Sequence, residues 1–183
     1  MTTYLHRSED RGHVKAGWLE SKHSFSFGSW YNPELMGIGS LRVINDDIIA
    51  AQNGFGTHPH DNMEILTCVL KGTISHKDSM GNESQIHAGE WQLMSAGTGI
   101  KHSEINQGNE AVHLLQIWIL PEERGLEPSY EEKNFSSELK QGQLTLLGSR
   151  DGRNNSVTIH QDVNLYLGSL TKSDRLTYQI KDN

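Results

Sequence analysis

Short segments of apolar or alternating residues, separated by turn signals, constrain the fold of this chain more than any other feature. Gly, Asn, Asp and Ser cluster between these segments about every eight to twelve residues, as they do at tight turns. No apolar period of 3.6 residues, which would indicate helices, is sustained. Such a chain is typical of antiparallel sandwiches and barrels. We therefore predict an all-β fold, with strands over residues 64–70, 73–77, 84–87, 91–94, 101–105 and 112–120.

The first fifty residues give weaker signals. Residues 41–44 are apolar except for Arg42, residues 48–50 are apolar, and the Asn-Asp-Asp run at 45–47 predicts a turn between two strands. Upstream, polar and aromatic residues alternate, which places Phe25 and Phe27 on one face of an extended segment.

The segment 121–133 is charged and carries two prolines, which is typical of a linker. We predict an N-terminal domain over residues 1–120, this linker, and a partial β domain over residues 134–183. Strands of the partial domain are expected over residues 144–147, 157–160, 165–170 and 176–180.

Four short strands are too few to close a barrel. An open half-sandwich leaves strand edges and apolar faces in water, which favours association. We therefore expect a homodimer formed through the partial domain, either side by side or by exchange of strands. The alternative is that these strands cover the outer face of the first domain.

Composition excludes several classes of function. The net charge is −7 and no basic face is visible, which argues against direct binding of nucleic acid. No apolar run approaches the ~20 residues that span a bilayer, and no signal peptide is visible, so we expect a cytoplasmic protein without membrane contacts. Cys68 is the one cysteine, so no internal disulfide forms, and a buried apolar role is expected for it.

Two pairs of polar residues predict a metal site. His58 and His60 are separated by one residue, so they share one face of a strand, and Glu64 follows. His102 and Glu104 repeat this spacing about forty residues later, after a glycine-rich turn. Two imidazoles with a carboxylate nearby are suitable ligands for a divalent transition metal. The spacing alone does not choose between Glu64 and Glu104 as the carboxylate ligand.

The same residues resemble the two cupin motifs. The run from Gly56 through His58, His60 and Glu64, with its apolar continuation to Gly72, is similar to the first motif. Gly89, Gly97, His102 and Asn106 follow the pattern of the second motif, with Ser95 in place of its usual proline.

A narrower resemblance is carried by Phe25-Ser-Phe-Gly, Trp30-Tyr31, the run 41–47, His58-Pro-His60 and the motifs at 76–82 and 94–104. In these segments the chain resembles pirin-like proteins, a family of the cupin superfamily with two barrels. This resemblance covers nearly all of residues 15–120 and continues more weakly through 144–160; the chain departs from the family by ending early in the second barrel. It implies a cupin barrel (a double-stranded β-helix or jelly roll) followed by a partial cupin-like domain.

The resemblance also implies a ligand set. In the pirin pattern the metal is held by His58, His60, His102 and Glu104, and Glu64 lies outside this set, where we expect it to orient a histidine. Three imidazoles and one carboxylate leave open positions on one divalent metal. Such a centre suits Fe(II) first, with Ni, Mn, Co, Cu or Zn as other candidates.

Similar pirin-like proteins are associated with quercetin 2,3-dioxygenase activity, in which dioxygen opens the ring of a flavonol. This implies a small aromatic substrate, with Glu104 as the base that accepts the proton of its 3-hydroxyl group. The alternatives are a metal-dependent, redox-responsive module that binds a regulatory protein partner, and a structural metal cupin without turnover. Apolar residues that could line the substrate pocket, although core packing is the commoner role for each, are Phe25, Phe27, Trp30, Trp91, Leu93 and Met94.

Overall fold

The computed structural model describes residues 5–179, which form β-strands joined by turns and by two short 3-10 segments, Ser8–Asp10 and Arg153–Asn155. In this part of the chain no helix is long and apolar enough to cross a membrane. The predicted all-β fold is confirmed. The strands are β1 Gly12–Ala16, β2 Leu19–His23, β3 Leu41–Ile49, β4 Asn53–His60, β5 Glu64–Lys71, β6 Thr73–Asp78, β7 Glu83–His87, β8 Glu90–Ser95, β9 Ile100–Asn106, β10 Val112–Ile119, β11 Ser129–Asn134, β12 Leu144–Ser149, β13 Val157–Thr158 and β14 Asn164–Gly168.

Two antiparallel sheets pack face to face to form the barrel. The seven-stranded sheet has the order β1-β2-β3-β10-β5-β8-β11, and the four-stranded sheet has the order β4-β9-β6-β7. Alternate residues of each strand point between the sheets. One apolar cluster there joins Ile49, Val69 and Leu114 of the larger sheet to Ile74 and Ile86 of the smaller one.

A third layer covers the other face of the seven-stranded sheet. The sheet β13-β12-β14 and the segment before it contribute Phe135, Leu147 and Ile159 to a core that includes Leu66 and Trp91. Strand β5 is therefore covered on both faces, and its first six residues are all buried. This explains why its sequence is a continuous apolar run rather than an alternation.

Strand β3 differs from the sequence prediction. The turn expected at residues 45–47 does not form, because Leu41–Ile49 is one strand that pairs with β2 on one side and β10 on the other. Hydrogen bonding on both sides outweighs the low strand propensity of Asn and Asp. Asn45 and Asp47 are consequently buried between the sheets.

The C-terminal part also differs in detail. Residues 129–133 of the predicted linker and residue 134 of the predicted partial domain form β11, the edge strand that pairs with β8. The strand expected over 157–160 ends at Thr158, and residues 176–179 form no strand, while residue 180 lies outside the described residues. The later strands cover the first sheet within one chain, which is the alternative considered above. The homodimer and the domain boundaries stay predictions.

Candidate metal centre

Three histidines converge between the two sheets. His58 and His60 lie on β4, and β9 pairs with β4 so that His102 stands opposite His58. One ring nitrogen from each histidine lies within 4.8 Å of the other two. The Nε2 atoms of His58 and His102 are 3.0 Å apart. Two nitrogens held about 2.1 Å from one ion and at right angles would lie about 3.0 Å apart, so this spacing fits a shared metal.

The state of the three rings also fits a metal. The Nδ1 of His58 donates a hydrogen bond to the Gly56 carbonyl oxygen at 2.7 Å, so its Nε2, which faces His102 Nε2, is the nitrogen available to a metal. Within residues 5–179, the buried Nε2 of His60 has no hydrogen-bond partner. Burial and the neighbouring His58 lower the pKa of His60 to about 4 and that of His102 to about 3. Both rings are therefore neutral at pH 7, which is the form that binds metals.

Glu104 lies two residues after His102 on β9 and is 1% exposed. Its Oε1 accepts a hydrogen bond from the Thr67 hydroxyl at 3.2 Å, and its Oε2 accepts one from the Gln116 amide. Burial raises the pKa of Glu104 to about 7, and the carboxylate of Asp47 acts in the same direction. A cation beside this carboxylate would favour its charged form. Glu104 lines the same cavity as His58 and His60.

Glu64 has different partners from those predicted. Its Oε1 accepts a hydrogen bond from the Ser95 hydroxyl at 2.6 Å. Its Oε2 accepts one from the His160 backbone amide, and it lies 3.2 Å from the Nδ1 of the same residue. Glu64 therefore contacts a histidine of the C-terminal segment rather than the clustered histidines.

A cavity of about 220 Å³ opens beside the histidines. Phe27, Phe55 and Trp118 provide aromatic walls, and the Phe27 and Trp118 rings meet edge to face with centroids 5.2 Å apart. Polar residues of the large sheet form the opposite wall. The residues lining this cavity are Leu19, Ser21, His23, Phe27, Asn45, Asp47, Phe55, His58, His60, Glu104, Gln116 and Trp118.

Of the six predicted pocket residues, Phe27 alone lines this cavity. Trp91 and Leu93 point to the other face of the large sheet, where they pack under the C-terminal strands. Met94 points between the sheets but belongs to a core cluster with Ile65, Ala96 and Ile100. Phe25 is buried outside the cavity, and the ring of Trp30 lies against Gly12. The prediction was wrong for these five residues because hydrophobicity alone does not identify the face of a strand, as for Trp91, Leu93 and Met94, or the direction of a side chain in a connecting segment, as for Phe25 and Trp30.

Sequence reasoning missed the polar residues of the cavity. His23 stands in no sequence pattern that predicts a site, yet it is 4% exposed and lines the cavity, and burial lowers its pKa. Asn45 and Asp47 lie in the run that predicts a turn. The two-residue period of a strand could have identified His23, Asn45 and Asp47. In Leu19–His23 and in Leu41–Ile49 the buried residues from Ser21 and from Val43 onward are two positions apart.

His76 was missed as well. It is 1% exposed, its Nε2 lies 3.3 Å from Asp78 Oδ2, and its ring stacks on Tyr130 with centroids 4.7 Å apart. The ring centroid is 5.4 Å from that of His102. His76 therefore packs behind His102 and limits the positions that the His102 ring can adopt.

Two family descriptions match the sequence. Residues 5–119 match the family described as Pirin, and residues 146–183 match the quercetinase C-terminal cupin domain. The first match covers the two sheets of the barrel up to the end of β10, with all of the clustered histidines and Glu104.

Two similar proteins of named function come from bacteria. The chain is 53% identical to quercetin 2,3-dioxygenase of Escherichia coli K12 over 178 residues, which cover 97% of this chain and 76% of that protein. It is 48% identical to a putative quercetin 2,3-dioxygenase of Pasteurella multocida, over 92% of this chain and 71% of that protein.

Solved structures show the same fold. A crystal structure of the bacterial pirin YhhW from Escherichia coli in complex with nickel(II) matches with a TM-score of 0.85 and 54% identity. The match covers 89% of this chain and 69% of that one. That relative holds a divalent metal, in agreement with the donor set found here.

Proposed function

This chain belongs to the pirin family of cupins, and on that premise we propose that it is a metal-dependent dioxygenase that opens the ring of a flavonol of the quercetin type. The observation that carries the proposal is the meeting of three imidazole nitrogens within 4.8 Å, beside a buried carboxylate and an aromatic-walled cavity. The relatives named quercetin 2,3-dioxygenase support the substrate class.

In this proposal His58, His60, His102 and Glu104 hold one divalent transition metal. A redox-active divalent metal held there would supply a Lewis acid for a substrate hydroxyl group and a redox centre for dioxygen. The sequence favours Fe(II), whereas the relative YhhW was crystallised with nickel(II). We propose the cytoplasm as the place of the reaction, as the sequence predicts.

The side chains around the cavity have separate tasks. Glu104 is the group that accepts the proton of the 3-hydroxyl group, and its two carboxylate oxygens are oriented by hydrogen bonds from Thr67 and Gln116 respectively. Phe27 and Trp118 provide flat apolar surfaces against which the aromatic substrate stacks. The ring of His60 meets that of Trp118 at 4.9 Å, which ties the aromatic wall to the proposed metal ligands.

Oxygen uptake tests the proposal. Protein reconstituted separately with iron, nickel, manganese and copper is mixed with quercetin, and oxygen consumption and carbon monoxide release are followed. We expect both signals from the wild type, loss of both in His102→Ala, and retention in His13→Ala, which changes a histidine on the exposed strand β1. Stoichiometric metal without oxygen uptake for any of the metals would refute the enzyme and favour the regulatory module.

A further inference from the structure

The wall of the cavity formed by β2 and β3 is unusually polar for a sheet interior. Ser21 pairs with Asp47 across the two strands, and His23 pairs with Asn45. We call these four residues the polar wall. Their exposures are 1%, 2%, 4% and 2% respectively, so all four are removed from bulk water although none belongs to the proposed metal site.

Hydrogen bonds within the polar wall fix its orientation. The Nδ1 of His23 donates to Asn45 Oδ1 at 2.7 Å and lies 3.2 Å from the Ser21 hydroxyl oxygen. The Ser21 hydroxyl group in turn donates to the Asp47 carboxylate. Because His23 uses Nδ1 in this way, its Nε2 carries the lone pair and is an acceptor.

Asp47 is left with an unsatisfied oxygen. Within residues 5–179, its buried Oδ1 has no hydrogen-bond partner. A buried carboxylate oxygen without a donor is unfavourable, and burying such an acceptor costs about 1–3 kcal/mol or more when it is charged. No lysine or arginine is among the groups that shift its pKa. An O–H or N–H group that entered the cavity would remove this deficit.

Because Asp47 lines the cavity, its carboxylate can take part in the recognition of a ligand. The polar wall shares one cavity of about 220 Å³ with His58, His60 and Glu104, and Phe27, Phe55 and Trp118 lie along it. A flat aromatic compound whose metal-directed hydroxyl group lies at the histidines can therefore present other hydroxyl groups to the polar wall. An acceptor in an enclosed site discriminates strongly against ligands that lack the matching donor, because it is then left unpaired.

Resting on the proposed dioxygenase function, we propose that Asp47, assisted by His23, is a specificity-determining residue that accepts a hydrogen bond from a phenolic hydroxyl group of the substrate. This hydroxyl group is distinct from the 3-hydroxyl group that meets the metal ligands. The site therefore selects flavonols that carry hydroxyl groups on the rings remote from that position.

Paired ligands and paired variants test this assignment. Two flavonols that differ only in the hydroxyl groups remote from the 3-hydroxyl are titrated anaerobically into metal-loaded and metal-free protein by calorimetry. The wild type should bind the hydroxylated compound about 10- to 100-fold more tightly, which is the range expected for a hydrogen bond to a charged acceptor.

Asp47→Asn should reduce this ratio by about tenfold or more, because the charged acceptor is replaced by an amide. Asp47→Leu should bring the ratio close to one, and if it does not fold, the near-isosteric Asp47→Asn still decides. The matched control is Asp46→Asn, which changes the neighbouring carboxylate on the outer face of β3, where it bonds His113. The control should keep the wild-type ratio.

Equal binding of the two flavonols by the wild type would overturn the assignment, and so would a ratio unchanged in Asp47→Asn. Failure of the proposed function gives a different result. Selective binding that depends on Asp47 without oxygen uptake supports the role of the polar wall and refutes the dioxygenase. Oxygen uptake with the same KM for both flavonols supports the dioxygenase and refutes the role of Asp47.

Discussion

Asp47 should destabilise the metal-free fold at neutral pH, and Asp47→Asn should remove that effect. Burial raises the pKa of Asp47 to about 6 from an ordinary value of 3.8. Between these two pH values the folded protein holds a proton that the unfolded chain has released, so stability falls as the pH rises through this window. The penalty is fully present above pH 6 and absent well below pH 3.8.

The magnitude follows from the two pKa values. The pKa of Asp47 is about two units higher in the folded than in the unfolded chain, which lowers the free energy of unfolding by about 3 kcal/mol at pH 7.5 and by about 1 kcal/mol at pH 4.5. Asparagine keeps the shape of the side chain and an oxygen for the Ser21 hydroxyl group but carries no charge. The free energy of unfolding of the variant should therefore be higher by up to about 3 kcal/mol at pH 7.5, and each kcal/mol should raise its Tm by roughly 2–4 °C.

Urea unfolding of chelator-treated protein at the two pH values measures this effect. Asp46→Asn is the control, since Asp46 lies on the outer face, 2.6 Å from the His113 ring. The charge of Asp46 is a lesser cause of the raised pKa of Asp47 than burial, so the control should not reproduce the gain of Asp47→Asn. A gain that is equal at pH 4.5 and pH 7.5, or a loss at pH 7.5, would refute the reasoning. A confirmed gain would also mean that the chain gives up stability to keep an acceptor in the cavity, as binding sites commonly do.

Three further predictions concern the metal, the thiol and the assembly. His58→Ala should lose bound metal in elemental analysis while His13→Ala keeps it; metal retained at full stoichiometry in His58→Ala would contradict the ligand set. Burial raises the pKa of Cys68 to about 12, so a thiol reagent at pH 7.5 should label this residue only after denaturation. Rapid labelling of the native protein would contradict a purely packing role for Cys68. Light scattering at micromolar concentration should give a homodimer, because Leu144 and Leu170 of the C-terminal segment are 37% and 53% exposed, and a monomer would rule the dimer out.

Local sequence signals were sufficient for the barrel strands and for the convergence of the histidines. Strands β5 to β10 begin and end within about two residues of their predicted limits, because turn residues mark each boundary. The two-residue spacing placed His58 and His60 on one face, and the antiparallel partner β9 brought His102 opposite. Both results depend on the period of an extended chain, which the sequence carries directly.

Features of the fold that depend on which strands pair and which layers pack together could not be predicted from local sequence. The run at 45–47 has turn propensity, and only the strands on both sides of β3 show why it stays extended. Residues 129–134 are as polar as a linker because β11 is an edge strand with a largely exposed face. The face of β8 that meets the C-terminal layer, and with it the place of Trp91 and Leu93, cannot be known before that layer is positioned.

The different positions of Glu64 and Glu104 follow from the two-residue period of a strand together with the tertiary structure. Glu64 shares a face of β5 with Leu66 and Cys68, and that face packs under the C-terminal strands, so its carboxylate meets Ser95 and His160. The intervening residue Thr67 points between the sheets, where it donates to Glu104. The face of the strand on which a carboxylate lies is therefore a better guide to its role than its distance in sequence from the histidines. Glu64 stabilises the contact between the barrel and the C-terminal layer, whereas Glu104 lines the cavity beside the clustered histidines.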